Sequence, residues 1–444
     1  MTPRGAATSL AMPTNIQPGD PTTVGARNFR ALWAGAAVTN LADGVVKLAL
    51  PLVAVSMTDS PALVAGVTLA NTLPWLLFSL PAGVLADRVD RRHLIMTMAA
   101  VRALALAVLV GGVLAELLPL AGLYAGALLL GTAEVFADTT RMSVVPMVVP
   151  RNRMESAFAK LTATETAANE FIGPPLGGLL AAAGLAVALG AGAVGYAGAL
   201  LALTIMTGHY RSGRHSSSTA GAPSLRAEIR EGVQYVWRER ALRTLLLVAG
   251  AASGCWAAWT AVIVVYAVAP GPLDLSHSEY GLLIGGLGVG GVVGASVAPA
   301  LIRRLGRQVV LVTSMACLAV LLAAPAVSSS AWLIAVTTVL GGAGSGAWNV
   351  TYSSLRALVV PEEMMGRYSG VSRLTSWGSM PLGALVAGLT AELIGVRAVF
   401  WGGAGVCVLV LAATLRTVTS PEFRRVEARA TAFDEPVPAH PHRS

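Results

Sequence analysis

The chain has 444 residues, 55% of them hydrophobic and only 12% charged, with a formal net charge of +8. A water-soluble chain carries about 25% charged residues. So little charge over this length excludes a large soluble globule and fits a protein built into a bilayer, where charges are confined to loops and a few working positions.

Mostly apolar segments of 20 or more residues recur from Phe29 to Arg416, each long enough to cross a hydrocarbon core of roughly 30 Å. Residues 1–28 read as a disordered cytoplasmic tail without the apolar stretch of a cleavable signal. In chain order the expected spans lie near 31–55, 62–86, 94–115, 120–146, 157–183 and 185–207, then 242–269, 278–301, 308–328, 331–355, 367–392 and 396–416. The connecting segments alternate in charge. One set carries Arg88, Arg91, Arg92, Arg151, Arg153, Arg303, Arg304 and Arg307, whereas the other carries Asp59, Glu116, Asp274 and Glu279. Lysine and arginine excess marks the cytoplasmic side, which puts both termini in the cytoplasm. Topology therefore accounts for the basic net charge without a nucleic-acid partner.

A linker over 208–241 separates a six-helix bundle at 29–207 from a second at 242–416, and 417–444 form a cytoplasmic tail. The second half of the linker has Leu225, Ile229, Val233 and Val236 at helical spacing, the pattern of an amphipathic helix on a membrane or protein face. The two bundles share motifs in the same order. LPAGVLADRVDRR (Leu80–Arg92) answers VAPALIRRLGRQ (Val297–Gln308), MVVPRNRM (Met147–Met154) answers LVVPEEMM (Leu358–Met365), and PPLGGLL (Pro174–Leu180) answers MPLGALV (Met380–Val386). Parallel repeats of this kind build secondary transporters. The expected fold is all-α, with twelve transmembrane helices in two pseudo-symmetric bundles.

Over about 27–416 the sequence resembles the major facilitator superfamily (MFS). Gly83, Asp87, Arg88, Arg91 and Arg92 are similar to the superfamily's signature between helices two and three, and the resemblance implies a cytoplasmic latch between the halves. Gly173, Pro174, Gly177 and Gly178 are similar to the kink motif of exporter and antiporter branches. Proline bends a helix, and glycines admit a close neighbour. In span eight Gly286, Gly290 and Gly294 recur every four residues and offer a matching surface, since this fold brings helices five and eight together at the seam. The stretches FRALWAGAAVTNLADGVVKLALPL and REGVQYVWRERALRTLL further resemble the branch of enterobactin and macrolide exporters.

No nucleotide motor is encoded, because neither Lys47 nor Lys160 follows a glycine as a phosphate-binding loop requires. Transport is therefore expected to run on an ion gradient or on the substrate's own gradient. Ionisable residues inside spans cost roughly 2.5–3.5 kcal/mol each on insertion scales, so they are functional candidates. Asp43 and Lys47 lie one turn apart in span one, where they either pair or leave Asp43 to respond to protons. Glu134 and Asp138 lie one turn apart in span four; two carboxylates so placed repel when both are charged, which suits a proton carrier. Arg141 is a possible tie for Asp138. Glu165 and Glu170, five positions apart, are expected on different faces of span five. Asp43, Glu134, Asp138 and Glu170 are the proton-coupling candidates. Lys47, Arg102, Trp348, Asn349, Arg373 and Trp377 are the candidates for the substrate cavity, with snorkelling to the cytoplasmic end as the other reading of Arg102. Cys255, Cys317 and Cys407 read as packing residues, and the histidines lack metal-ligand spacing. The expected function is proton-coupled export of a small hydrophobic or amphipathic molecule such as a drug, siderophore or other secondary metabolite, by a monomer in contact with lipid and without a cofactor, metal or enzymatic activity. An uptake carrier and a transport-dead sensor or assembly partner are the alternatives.

Overall fold

The computed structural model describes residues 21–208, 210, 234, 237, 240–360 and 362–418. Its elements are long helices joined by very short turns. Helix α1 runs over Pro21–Met57, α2 over Pro61–Arg88, α3 over Arg91–Leu114 and α4 over Leu120–Val148. Span five is built in three pieces: α5 (Met154–Glu165), a π-helical stretch (Thr166–Ile172) and α6 (Gly173–Ala183). Helix α7 covers Leu185–Thr204, α8 Arg240–Ala267, α9 His277–Val327, α10 Ala331–Val359, α11 Glu362–Ile394 and α12 Val396–Val418. Gly306, at φ 83°, breaks α9 into two crossings. With span five counted once, the described residues make the twelve spans expected. Two boundaries differ: α1 begins at Pro21, inside the expected tail, and the expected amphipathic linker helix lies almost wholly outside the described residues.

Helices are what hydrocarbon permits, because every backbone donor and acceptor is then satisfied within the segment. The punctuation is local. Ser60 accepts from Leu63 N–H and Pro61 opens α2, while Asp90 accepts from Arg92 and His93 N–H to start α3. Gly184 and Gly395 turn the chain at φ 148° and 96°, backbone that L side chains rarely adopt. Large apolar side chains such as Leu104, Val108, Val194 and Leu409 point outward, as a lipid-facing surface requires.

Helices α1–α7 pack into one bundle through the pairs α1–α7, α3–α7, α2–α4 and α3–α4. Helices α8–α12 pack into another through α9–α10, α8–α11 and α9–α12. The bundles meet along α2–α11 and α6–α9. Most of the close contacts on this seam belong to the end opposite the chain termini. Glu392 reaches Ser60, Gly388 lies against Ala62 and Ala65, and Gly178 lies against Gly281. At the other end a Cβ at Gly83 would meet nothing within 4 Å, and the Asp87 side chain is 69% exposed. Among the described residues the seam is thus closed at one end and open at the end that bears the termini.

Candidate functional site

The charged residues that lipid would reject are gathered in the first bundle. Asp43 and Lys47 sit on one face of α1, but they do not pair with each other. Asp43, 3% exposed, accepts from the Arg102 guanidinium on α3 and from the Tyr196 hydroxyl on α7 at 2.7 Å. Lys47 Nζ reaches Glu134 Oε1 on α4 at 3.4 Å, and Arg102 Nη2 stands 3.9 Å from Glu134 Oε2. Arg102 also lies over the Tyr196 ring, 4.2 Å from its centroid, a cation–π contact that offsets part of its desolvation. Being 2% exposed, Arg102 does not snorkel. One turn further along α4, Asp138 pairs with Arg141. Three carboxylates and three cations therefore balance within one cluster. Burial of this kind is tolerable only because the partners are in place.

The cluster also borders open space. The Lys47 side chain is 42% exposed although it lies inside α1, away from either end, whereas that of Glu134 is 7% exposed. A small crevice is lined by Asp43, Lys47, Asn71, Arg102, Glu134 and Tyr196, with Val46, Leu50 and Leu130 between them. A second crevice lies against Arg102, Arg141 and Thr39. Arg102 stands between the two, and its Nε and Nη1 have no hydrogen-bond partner among the described residues.

Glu170 belongs to the π-helical stretch, and its side chain is exposed. The expected separation of Glu165 and Glu170 onto different faces assumed an α-helix. Over Thr166–Ile172 the bonding is i→i+5, with more residues per turn than an α-helix, so the α-helical spacing behind that expectation does not apply there. Next to it, Gly173 meets Gly44 of α1 so closely that a Cβ at Gly173 would fall 2.6 Å from the Gly44 Cα.

The remaining candidates divide. Trp377 on α11 stacks on Trp75 of α2 across the seam, with ring centroids 4.2 Å apart. Phe78 and Phe136 pack on the same cluster. Asn349 and Arg373 are exposed. Trp348 is 9% exposed, stacks on Tyr352 and packs against Leu245, Leu311 and Met315; its environment is that of a packing residue of the second bundle rather than a cavity wall.

The expected glycine surface is corrected too. Gly178, Pro175 and the Glu170–Phe171 backbone contact Gly281, Gly285 and Gly288 of α9, whereas Gly290 and Gly294 contact the α10 backbone at Val339 and Ala343. Span eight carries two glycine stripes, and the one facing span five is offset from the one the four-residue spacing suggested. In the loop motif, Arg91 is the hub: it donates to Ala86 O at 3.1 Å, Ser143 O at 3.3 Å and Asp87 Oδ1 at 2.7 Å. Arg92 donates to Thr204 O at 3.0 Å, and Arg88 is exposed. These contacts tie α2, α3, α4 and α7 of one bundle together. The glycine at position 83, expected to permit close helix approach, faces open space in this conformation.

Asp90, within the same loop motif, has a part that the motif does not show. Besides capping α3 it accepts from Tyr210 N–H at 3.1 Å, and the Tyr210 hydroxyl accepts from Asn28 at 2.7 Å. Burial would raise the Asp90 carboxyl, but the Tyr210 and His93 N–H groups outweigh it and hold its pKa below the usual 3.8.

Two bundles of membrane-crossing helices, the first holding a buried charged cluster, define a multi-pass transporter of the MFS. Residues 22–441 match the family described as transmembrane secretion effector, and the chain belongs to that family. It is 27% identical over 395 residues to the multidrug efflux pump Tap of Mycolicibacterium fortuitum, covering 84% of this chain and 90% of the relative. It is 28% identical over 372 residues to an uncharacterized MFS-type transporter of Sinorhizobium fredii, covering 81% and 87%. Among solved structures, the nucleoside transporter NupG superposes with a TM-score of 0.67 at 11% identity, covering 89% of this chain and 99% of its own. A bacterial homologue of the iron transporter ferroportin, in an inward-facing state, superposes with 0.68 at 16% identity, covering 90% and 100%. These two likenesses concern the fold.

Proposed function

We propose that the chain is a proton-coupled exporter of a small hydrophobic or amphipathic organic molecule, working in the cell membrane with both termini in the cytoplasm. The observation that carries this reading is the balanced cluster of Asp43, Arg102, Glu134 and Lys47 beside open space in the first bundle. A proton taken up by Glu134 removes the counterion of Lys47, and the cluster gains one positive charge. In a low dielectric such an imbalance is costly, so protonation and the state of the cleft are coupled. Asp138, paired with Arg141, and Glu170 are the further carboxylates proposed to take part in coupling. The aromatic pair Trp75 and Trp377 offers apolar surface at the seam, suited to a flat hydrophobic cargo. Export is supported by the kink motif at Gly173–Gly178 and by the likeness to an efflux pump. With the termini in the cytoplasm, the conformation is open to the inside, where an exporter loads. The loop motif would then engage the second bundle when that side closes.

The test is transport in vesicles with an imposed pH gradient, against a panel of fluorescent amphipathic compounds. Proton-driven transport should be lost when Asp43→Asn, Glu134→Gln and Glu170→Gln are combined. Full proton-driven activity in that triple variant would refute the role of these carboxylates, and accumulation inside cells would refute export.

A further inference from the structure

The closed end of the seam carries a polar contact that the apolar packing there does not require. Helix α2 starts at this end, with Ser60 as its cap and Pro61 at its first position. Four N–H groups at a helix start lack partners within the helix, and the start bears partial positive charge. Proline removes one of these donors, and the Ser60 hydroxyl takes Leu63 N–H at 3.3 Å. Glu392 of α11, in the other bundle, accepts from the Ser60 hydroxyl at 2.7 Å and from Ala62 N–H at 3.3 Å. Residues of the two bundles, 332 positions apart in sequence, thus complete one helix cap. Two further features hold the partners in place. Tyr124 of α4 donates to Leu63 O at 2.6 Å and fixes the start of α2 within its own bundle. Gly388, one turn before Glu392, lets α11 approach: a Cβ there would lie 2.9 Å from the Ala65 Cβ.

We infer that Glu392 is a positioning residue of the transport cycle, a carboxylate strap from the second bundle that caps α2 of the first and stabilises the state closed at this end. The contact spans the seam at its closed end, so a rigid rocking of the bundles that opens this end breaks it. Its free energy therefore counts in one state and not in the other, the condition for shifting a conformational equilibrium. Glu392 is exposed. A carboxylate at an exposed helix start contributes a fraction of a kilocalorie to about one kilocalorie, equivalent to about a two- to fivefold change in the ratio of the two states. Glu392 stands apart from the ion cluster of α1, α3 and α4, so it sets when the pathway opens rather than what is carried. The inference rests on reading the chain as an alternating-access carrier and is independent of the proton and of the direction of transport.

The experiment uses full-length protein in nanodiscs without substrate. A cysteine placed by Ala384→Cys reports on the seam, because Ala384 is fully buried there against Ala65 and Ala261. Its rate of reaction with a maleimide is followed by peptide mass spectrometry. Native Cys255 and Cys407, buried inside the second bundle, serve as internal controls. Glu392→Ala and Ser60→Ala should each accelerate labelling of the reporter about two- to fivefold, and together no more than either alone, with the native cysteines unchanged. Glu392→Gln, which keeps an acceptor without the charge, should fall between. Labelling at the parent rate in both single variants overturns the strap. So does equal acceleration at Cys407, since that reports general loosening. A protein that fails only the pH-gradient assay leaves the strap standing, so the two readings fail separately.

Discussion

At the residue scale, Asp43 shows how a buried charge in this protein is held by several elements at once. Arg102 supplies one charge-assisted contact, and Tyr196, 153 positions away, supplies another at 2.7 Å. Tyr196→Phe keeps the ring beneath Arg102 and removes only the hydroxyl. Hydrogen bonds to charged groups contribute about 1.5–3 kcal/mol, so the variant should unfold at lower temperature in detergent, measured against wild type by thermal shift. Asp90 makes a second residue-level prediction. Its pKa is lowered from 3.8 in the folded protein, so its contribution to stability is present above about pH 4 and is lost as pH falls through the lowered value. Asp90→Asn retains a capping oxygen but does not titrate. The difference in thermal stability between wild type and variant should therefore narrow as the pH is taken from 6 towards 3. Asp43, Lys47, Arg102 and Glu134 were legible in the sequence because charge in an apolar span is conspicuous. Their pairing was not: the one-turn spacing of Asp43 and Lys47 suggested a local bond, and each found a partner on another helix. Tyr196 left one signal, as a lone hydroxyl in an otherwise apolar Ala/Gly/Leu stretch.

At the scale of the element, span five and α9 show what periodicity conveys and what it omits. Proline and glycine after Ile172 announced a bend. The π-helical stretch before it has no comparable signature, and it sets the direction in which Glu170 leaves span five. Glycines at four-residue spacing in α9 announced close helix packing but not the neighbour. The structure assigns Gly290 and Gly294 to α10 in the same bundle, and Gly281, Gly285 and Gly288 to span five across the seam. The two stripes should respond differently to a single methyl. A Cβ at Gly294 would lie 2.6 Å from the Ala343 carbonyl carbon, backbone against backbone inside one bundle, so Gly294→Ala should sharply reduce the yield of folded monodisperse protein on size-exclusion chromatography. A Cβ at Gly178 would lie 2.6 Å from the Gly281 Cα, across an interface that the cycle separates. Gly178→Ala should leave the yield near wild type while slowing transport severalfold, because it disfavours the state closed at this end.

For the whole molecule, the two bundles touch at one end and part at the other, the geometry expected of rigid bodies that rock about a central site. If the closed end must open in every cycle, joining it stops transport. Ser60→Cys combined with Glu392→Cys should form a disulfide on mild oxidation, abolish transport in the vesicle assay and recover it on reduction. Either single variant should be insensitive to the oxidant. Arrest that reduction does not reverse would speak against a simple tether.

The sequence by itself determined the membrane location, the number of spans, their grouping into two related bundles and the identity of most charged candidates. Each of these depends on quantities that are local along the chain: apolar run length, loop charge and repeated motifs. Only the tertiary structure decided which charges pair, which glycine stripe faces which helix, and that Glu392 caps a helix of the other bundle. Those outcomes depend on the rotation of each helix about its axis and on contacts between residues hundreds of positions apart. Hydropathy leaves both open, because a helix that is apolar on every face fits a bilayer in any rotation.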